Sequence, residues 1–329
     1  MKILVLGGTK FLGRAFVERA LHAGHELTLF NRGKTGADLF PELETLIGDR
    51  DGGLDILQGR NWDTVFDPSG YLPRIVGDSA RLLADRVEYY AFVSSISAYA
   101  HTREANMGES GPLGTLEDPT TETIEGGSYG PLKVLCEQAA EAAMPGRVLT
   151  IRAGLIVGPY DPTDRWAYYV HRATQGGEML LPESPAYPVQ FIDARDIADW
   201  TLSMMERRKA GIYNVTGNSM MLGELITTIQ RVTNSDASPV YVDSDFIAQH
   251  SIQPWVELPM WIPSSEADFA GFQRINVGKA LADGLKFRSL ETTVRDTLEW
   301  LKTRPADASF KQTLTLEKES AALAAWHAR

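Results

Sequence analysis

The side chains best placed for proton chemistry are a tyrosine and a lysine four positions apart, in Tyr129-Gly130-Pro131-Leu132-Lys133. On a helix this spacing puts both on one face. A free phenol titrates near ~10. A neighbouring ammonium favours the phenolate, which lets such a tyrosine act nearer neutrality. A serine cluster, Ser94-Ser95-Ile96-Ser97-Ala98-Tyr99, follows an apolar run and offers hydroxyls that can hold a substrate oxygen while hydride moves. Taken alone, Tyr-x-x-x-Lys is a common coincidence. It gains meaning from Leu6-Gly7-Gly8-Thr9-Lys10-Phe11-Leu12-Gly13, which lies between a short apolar run and a helical pattern. Glycines there let the backbone approach a pyrophosphate, and the helix N-terminus attracts its charge. Gly7, Thr9, Lys10, Phe11, Leu12 and Gly13 are therefore expected to touch a dinucleotide, together with Tyr129 and Lys133.

The second strand ends in Phe30-Asn31-Arg32-Gly33-Lys34, where a dinucleotide site that selects a free ribose 2′-hydroxyl carries an acidic residue. A carboxylate would repel a 2′-phosphate, whereas Arg32 can clamp one bidentately, with Lys10 and Lys34 assisting. Asn31, Arg32 and Lys34 thus point to NADP(H), with NAD(H) as the alternative. Asp49, after the third strand, can accept from an adenine amino group or cap a turn. Ser69 and Gly70, after the fourth strand, complete the expected cofactor set. The expected substrate set is Tyr71, Tyr160, Arg165, Trp166 and Tyr169. Aromatic rings of this kind stack a ring substrate or fill a core with equal ease. His171 has no partner at metal-ligand spacing, and no zinc pattern occurs, so no metal is expected.

These residues need a frame. Ile3–Leu6, Glu26–Phe30, Thr45–Ile47, Thr64–Asp67, Tyr89–Ser94 and Val148–Ile151 read as strands. Phe11–Ala23, Pro73–Val87 and Tyr129–Ala143 read as helices between them. Repeated strand–helix units imply an α/β fold, a Rossmann-like doubly wound parallel sheet covered by helices on both faces. Residues 153–190, rich in Gly, Pro and aromatics, read as an irregular substrate-facing segment. Val189–Ile192 reads as a further strand. Ala194–Glu206, Met220–Val232 and Leu290–Leu301 read as helices, and Leu314–Trp326 as an amphipathic tail that docks on the body or on a partner. The expected organisation is a dinucleotide-binding domain over 1–155, with about 189–215 added to it. A smaller interleaved substrate domain takes 156–188 and 216–329.

The chain has 329 residues, 43% of them hydrophobic and 23% charged, which is ordinary globular composition. A net charge of −11 argues against a general nucleic-acid grip, which needs a basic face. The single cysteine, Cys136, excludes an internal disulfide. With no secretory or membrane-spanning segment, it points to a cytoplasmic setting. Cys136 falls among apolar helical positions and reads as packing. The expected partner is a small molecule, with neither nucleic acid nor membrane.

Five pieces together resemble the extended or atypical short-chain dehydrogenases/reductases, the NAD-dependent epimerase/dehydratase group. They are the glycine loop, Ser94–Tyr99, Tyr129–Lys133, Gly158-Pro159 and Phe191-Ile192-Asp193-Ala194-Arg195-Asp196-Ile197-Ala198, in the family's order over residues 1 to about 200. Gly-Gly-Thr-Lys-Phe-Leu-Gly and Asn31-Arg32-Gly33 also resemble the branch holding chloroplast stem-loop-binding proteins. The resemblance implies a nicotinamide cofactor, a catalytic Ser–Tyr–Lys set in which the serine is Ser95, and a homodimer formed through Pro73–Val87 and Tyr129–Ala143. Two departures stand out. The family's 4,6-dehydratases follow the catalytic hydroxyl with Asp-Glu, where this chain has Ile96-Ser97. Many sugar-nucleotide members carry Arg-x-x-Asn, where this chain has Arg152-Ala153-Gly154-Leu155. Both weigh toward an NADP(H)-dependent carbonyl reductase or alcohol dehydrogenase. The alternatives are a nucleotide-sugar epimerase, for which Arg165, Arg172 or Arg195 would have to grip a diphosphate, and a non-enzymatic RNA-binding or cofactor-sensing protein.

Overall fold

The computed structural model describes residues 1–305, 308–311 and 313–329. Six strands carry the first half: β1 (Lys2–Leu6), β2 (Glu26–Asn31), β3 (Glu44–Ile47), β4 (Thr64–Asp67), β5 (Tyr89–Ser95) and β6 (Val148–Ala153). Helices α1 (Phe11–His22), α2 (Pro73–Leu83) and α3 (Tyr129–Ala143) connect them. The second half continues through β7 (Leu155–Val157), α4 (Arg165–Thr174), β8 (Glu178–Pro182), β9 (Pro188–Val189), β10 (Phe191–Asp193) and α5 (Ala194–Glu206). It then runs through β11 (Gly211–Val215), β12 (Met220–Met221), α6 (Leu222–Thr233), β13 (Ser238–Val242), α7 (Ser244–Gln249), α8 (Gly278–Ala282), α9 (Leu290–Lys302) and α10 (Leu316–His327).

The main sheet has seven strands in the order β11-β6-β5-β4-β1-β2-β3, all parallel. The strand order reverses between β1 and β4. A doubly wound sheet opens a crevice at the carboxyl ends of its strands at such a point. The pleat sends alternate residues to opposite faces. Ile3 and Val5 of β1 join the core under α1 and α5, with Phe16, Val17, Ile197 and Trp200. Leu4 and Leu6 join the core under α2 and α3, with Val76, Leu83, Cys136 and Ala140. Strands buried on both faces explain the unbroken apolar runs in the sequence. A third core, away from the sheet, gathers Trp166, Tyr169, Leu225, Phe246, Trp261 and Val294 from the C-terminal elements. No helix among the described residues is long and apolar enough to cross a membrane.

Several elements differ from the sequence reading: β12, β13, α7 and α8 were not in it, and the helix read over Pro73–Val87 ends at Leu83. Residues 153–190 hold α4 together with β7, β8 and β9 and are not irregular. Val189–Ile192 is broken at Gln190, whose side chain bonds the carbonyls of Gly217 and Ile275 and so leaves the strand line. The sheet has a seventh strand, β11, which the reading did not include.

Candidate active site

The glycine loop leaves β1 in backbone conformations only glycine accepts freely: Gly7 has φ +124° and Gly8 φ +95°. A Cβ on Gly13 would come 3.1 Å from the Gly8 Cα and N, so the first turn of α1 lies directly against the loop. The Gly7 amide donates to the Phe30 carbonyl at 2.9 Å. Asn31 is spent on this framework: its amide nitrogen donates to the Gly7 carbonyl at 3.4 Å, and its carbonyl accepts from the Gly33 amide at 2.8 Å. Ser69 likewise donates to the Leu6 carbonyl at 2.7 Å, tying the end of β4 to the end of β1.

A cavity of about 690 Å³ opens above these strand ends. Gly7, Thr9, Lys10, Phe11, Leu12, Gly13, Asn31, Arg32, Lys34, Asp49 and Ser69 line it, and so do Tyr71, Ser95, Tyr129 and Lys133. Lys10, Arg32 and Lys34 are exposed at its outer end. Residues as far apart in sequence as Gly7 and Lys133 thus share one crevice at the strand reversal. The glycine cradle and the three cations fit the phosphates of a dinucleotide.

At the inner end Lys133 is 3% exposed and donates to the carbonyls of Gly70 at 2.7 Å and Val93 at 2.6 Å. Burial is the main cause that pulls its ammonium down to about 8, against the Cys136 thiol and the Asp67 and Glu137 carboxylates that raise it. Tyr129 lines the cavity and is 36% exposed. Burial of the phenol is still the largest influence and holds it above its ordinary value; Tyr71 adds to this, and the Ser95 hydroxyl opposes it. Ser95 Oγ accepts from the Ser97 amide at 3.1 Å, which fixes the serine at the end of β5. Tyr71 stands over the lysine, with Lys133 Nζ 5.4 Å from its ring centroid.

Two buried charge networks support this set, and the sequence reading missed both. Arg50 is held bidentately by Asp67 at 2.7 and 2.8 Å, and the Tyr90 hydroxyl donates to the same carboxylate at 2.7 Å. The guanidinium closes the cavity floor beside Asp49. Glu137, one further turn along α3 from Lys133, accepts from Ser94 Oγ at 2.5 Å and from Arg152 at 3.0 and 2.8 Å. It joins α3 to β5 and β6 one helical turn beyond Lys133. The sequence carried a signal for Glu137, because Tyr129, Lys133 and Glu137 repeat at intervals of four and share a helix face.

The expected substrate set divides. Tyr71 lines the cavity. Tyr160 lies outside it, with the Arg14 guanidinium 3.6 Å from its ring centroid and Trp300 5.6 Å away. Trp166 and Tyr169 do not face the cavity. Both are fully buried in the third core, where the Trp166 indole donates to Thr297 Oγ1 at 2.8 Å and the Tyr169 hydroxyl to the Pro259 carbonyl at 2.5 Å. Helical spacing on α4 turns these two rings inward together. Arg165, at the start of α4, is half-buried against Trp255, its guanidinium carbon 5.4 Å from that ring centroid.

Solved structures superpose over nearly the whole chain. The UDP-Glc/GlcNAc 4-epimerase from Campylobacter jejuni has a TM-score of 0.68 and 15% identity, covering 92% of this chain and 99% of that one. The Bordetella bronchiseptica enzyme WbmG, in complex with NAD and UDP, has a TM-score of 0.68 and 16% identity, covering 91% and 94%. The chain shares the fold of these enzymes, a seven-stranded parallel sheet flanked by helices with a further set of C-terminal elements. No family model matches the chain. By sequence, the chloroplast stem-loop binding protein of 41 kDa b from Arabidopsis thaliana is 26% identical over 243 residues, 66% of this chain. That match spans 58% of the plant protein's length.

Proposed function

We propose that this chain catalyses nicotinamide-dependent hydride transfer at a carbon bearing a hydroxyl or carbonyl group, with Ser95, Tyr129 and Lys133 as its catalytic set. The observation that carries the reading is the convergence of these three residues at the inner end of the cavity that the glycine loop opens. When bound, the nicotinamide gives or takes the hydride. Ser95 then holds the substrate oxygen, and Tyr129 passes a proton to it or removes one. Burial keeps the Tyr129 phenol protonated at neutral pH in the absence of a positive ring, which is the form that protonates a carbonyl oxygen under reduction. Lys133 orients the cofactor ribose and steadies a phenolate by its charge.

Two finer readings share this chemistry. Sugar-nucleotide epimerisation, in which one carbon is oxidised and re-reduced, fits the similarity to the Campylobacter epimerase and to the NAD- and UDP-bound Bordetella enzyme better than the carbonyl reductase expected from the sequence. One specific observation favours net reduction by NADPH. Arg32, Lys10 and Lys34 stand exposed on the cavity lining, where they would flank a ribose 2′-phosphate, and Asn31 is engaged with backbone. A 2′-phosphate clamp suits a cofactor that leaves after each turnover. A homodimer packed through α2 and α3, adjacent helices on one sheet face, and a cytoplasmic setting belong to the same proposal.

Stoichiometry separates the readings. The purified chain is offered NADPH or NADH with carbonyl compounds, and separately UDP-sugars. An epimerase inverts its sugar with cofactor absorbance unchanged, whereas a reductase consumes one NADPH per product. Replacing Arg32 by Ala should weaken NADPH about 10- to 100-fold and leave NADH unaffected, the loss of one charge-assisted contact. Equal wild-type affinities for the two cofactors would remove the NADP(H) preference. Dinucleotide binding with no turnover on either panel would favour the cofactor-sensing alternative.

A further inference from the structure

Lys133 hangs on two anchors of unequal firmness. An ammonium has three donors, and here two of them go to the carbonyls of Val93 at 2.6 Å and Gly70 at 2.7 Å. Val93 belongs to β5, a strand paired with β4 on one side and β6 on the other. Gly70 belongs to residues 68–72, the connection from β4 to α2, which is neither helix nor strand. The sheet holds the first carbonyl; the second needs another support.

That support is Asp67, the last residue of β4. It is fully buried, and its carboxylate uses all of the roughly four lone-pair sites such a group has. Oδ1 accepts from Arg50 Nη1 at 2.7 Å and from the Ser69 amide at 3.2 Å. Oδ2 accepts from Arg50 Nη2 at 2.8 Å and from the Tyr90 hydroxyl at 2.7 Å. Gly70 lies against the same carboxylate. A Cβ added to it would stand 3.2 Å from Asp67 Oδ2 and 2.6 Å from the Phe92 ring. Lys133 Nζ is 4.4 Å from the centroid of that Phe92 ring. Carboxylate, connection and ammonium are therefore packed as one unit. Arg50 extends it to α2, donating from Nε to Ser79 Oγ at 3.1 Å.

We infer that Asp67 is a positioning residue for Lys133. Its carboxylate folds residues 69–71 around itself, and the Gly70 carbonyl then sets where the ammonium lies and where its third donor points. Arg50 and Tyr90 hold the carboxylate from the loop after β3 and from β5. The inference rests on the hydride-transfer reading for the task of Lys133, which is to meet a ribose and steady a phenolate. The placement itself does not depend on that task. Several groups act on the ammonium. Burial is the largest influence and lowers it; the Cys136 thiol, Asp67 and Glu137 raise it, and Arg50 lowers it. Tyr71 stands over it, and Tyr129 precedes it by one turn of α3.

Two variants separate charge from placement. Asp67→Asn offers one oxygen to four donors and leaves the Arg50 cation unbalanced. Asp67→Asn combined with Arg50→Met removes both charges, a replacement often close to neutral for stability. The cofactor-free full chain is labelled with 13Cε-lysine, and the Lys133 signal is assigned through Lys133→Met. In the wild type the ε-methylene should be well ordered and titrate at about 8. In Asp67→Asn the midpoint should fall by about one pH unit, and the order parameter of the methylene should drop. In the double variant the midpoint should return toward the wild-type value while the order parameter stays low. With saturating cofactor, kcat should fall about 10- to 100-fold in both variants. Wild-type order of Lys133 in either folded variant overturns the inference. So does recovery of both order and kcat in the double variant, which would leave a charge effect alone. Tyr90→Phe removes one of the four bonds and no charge, so it serves if Asp67→Asn does not fold. It should loosen Lys133 without moving its midpoint, and a methylene as ordered as in the wild type would again overturn the inference. Loosening of Lys133 in these variants, together with a wild type that turns over nothing on either panel, would uphold the placement and strike the hydride-transfer reading.

Discussion

Lys133 sets the pH behaviour of the site. Its ammonium is brought down to about 8 mainly by burial, and in the proposed reaction its charge is what would fix a ribose and steady a phenolate. Turnover should therefore fall as pH rises through about 8, while a Tyr129→Phe protein should bind dinucleotide normally and lose about 10²–10⁴ of turnover at every pH. Stability should move the other way. The folded-state value lies below the ordinary 10.5, so between about 8 and 10.5 the unfolded chain holds the extra proton and raising pH stabilises the fold. Urea midpoints read against pH check the second point; a midpoint that falls across that window would contradict it. At this scale the sequence was legible where partners are local. Tyr129 and Lys133 are one helical turn apart, and the glycine loop is contiguous. It was opaque where partners are remote. Arg50 follows β3 and reaches Asp67 at the end of β4 across the strand ends of β2 and β1, and Trp166 has the same composition whether it stacks a ligand or bonds Thr297 in a core.

The elements hold these residues in register, and α3 does so by contact with the turn that follows β5. Gly130, the second residue of α3, faces the Ser97 carbonyl so closely that an added Cβ would overlap its oxygen. Gly130→Ala must move the helix start away from Ile96–Ala98 and so part Tyr129 from Ser95. We expect a stability loss of about 1–3 kcal/mol, typical of overpacking, with kcat/KM falling further than that loss explains. Thermal melts and kinetics on the same preparation test this, and an active, merely less stable variant would show that the two elements need not touch. α3 and α5 begin and end where the sequence pattern places them, α5 with the Asp193 side chain accepting from the Arg195 amide at its start. α4 was not legible, because Gly and Pro flank it and Asp164, its N-cap, sits in a left-handed conformation at φ +60° with no side-chain cap bond. The stripe Trp166, Tyr169, Val170 and Ala173 has helical spacing, but its aromatic content drew the reading toward a pocket. β11 is five residues long and escaped because its place beside β6 is a tertiary fact.

Over the whole molecule, the C-terminal tail is bound to the body through one buried charge. The amphipathic pattern of 314–326 predicted docking without saying on what. In the structure α10 packs on β8 and contributes Ala322 and Leu323 to the third core. Glu319 is 1% exposed; it accepts from Arg172 Nε at 2.6 Å and from the Leu180 amide at 2.9 Å. Arg172 also donates to the carbonyls of Gly176 and Glu178, so one pair knits α10, α4 and β8 together. Glu319→Ala strands a buried guanidinium and an amide. Breaking a buried pair from one side costs about 3–5 kcal/mol, whereas replacing both partners by apolar groups is often close to neutral. The single variant should therefore melt well below wild type, and Glu319→Leu combined with Arg172→Met should recover most of the loss. Neither residue lines the dinucleotide cavity, so cofactor affinity at a temperature where the variants are folded should stay at the wild-type value. Denaturant titration with dinucleotide binding on the same samples decides the matter. A double variant as unstable as the single one would mean that the pair itself, and not the relief of a stranded charge, holds the tail in place.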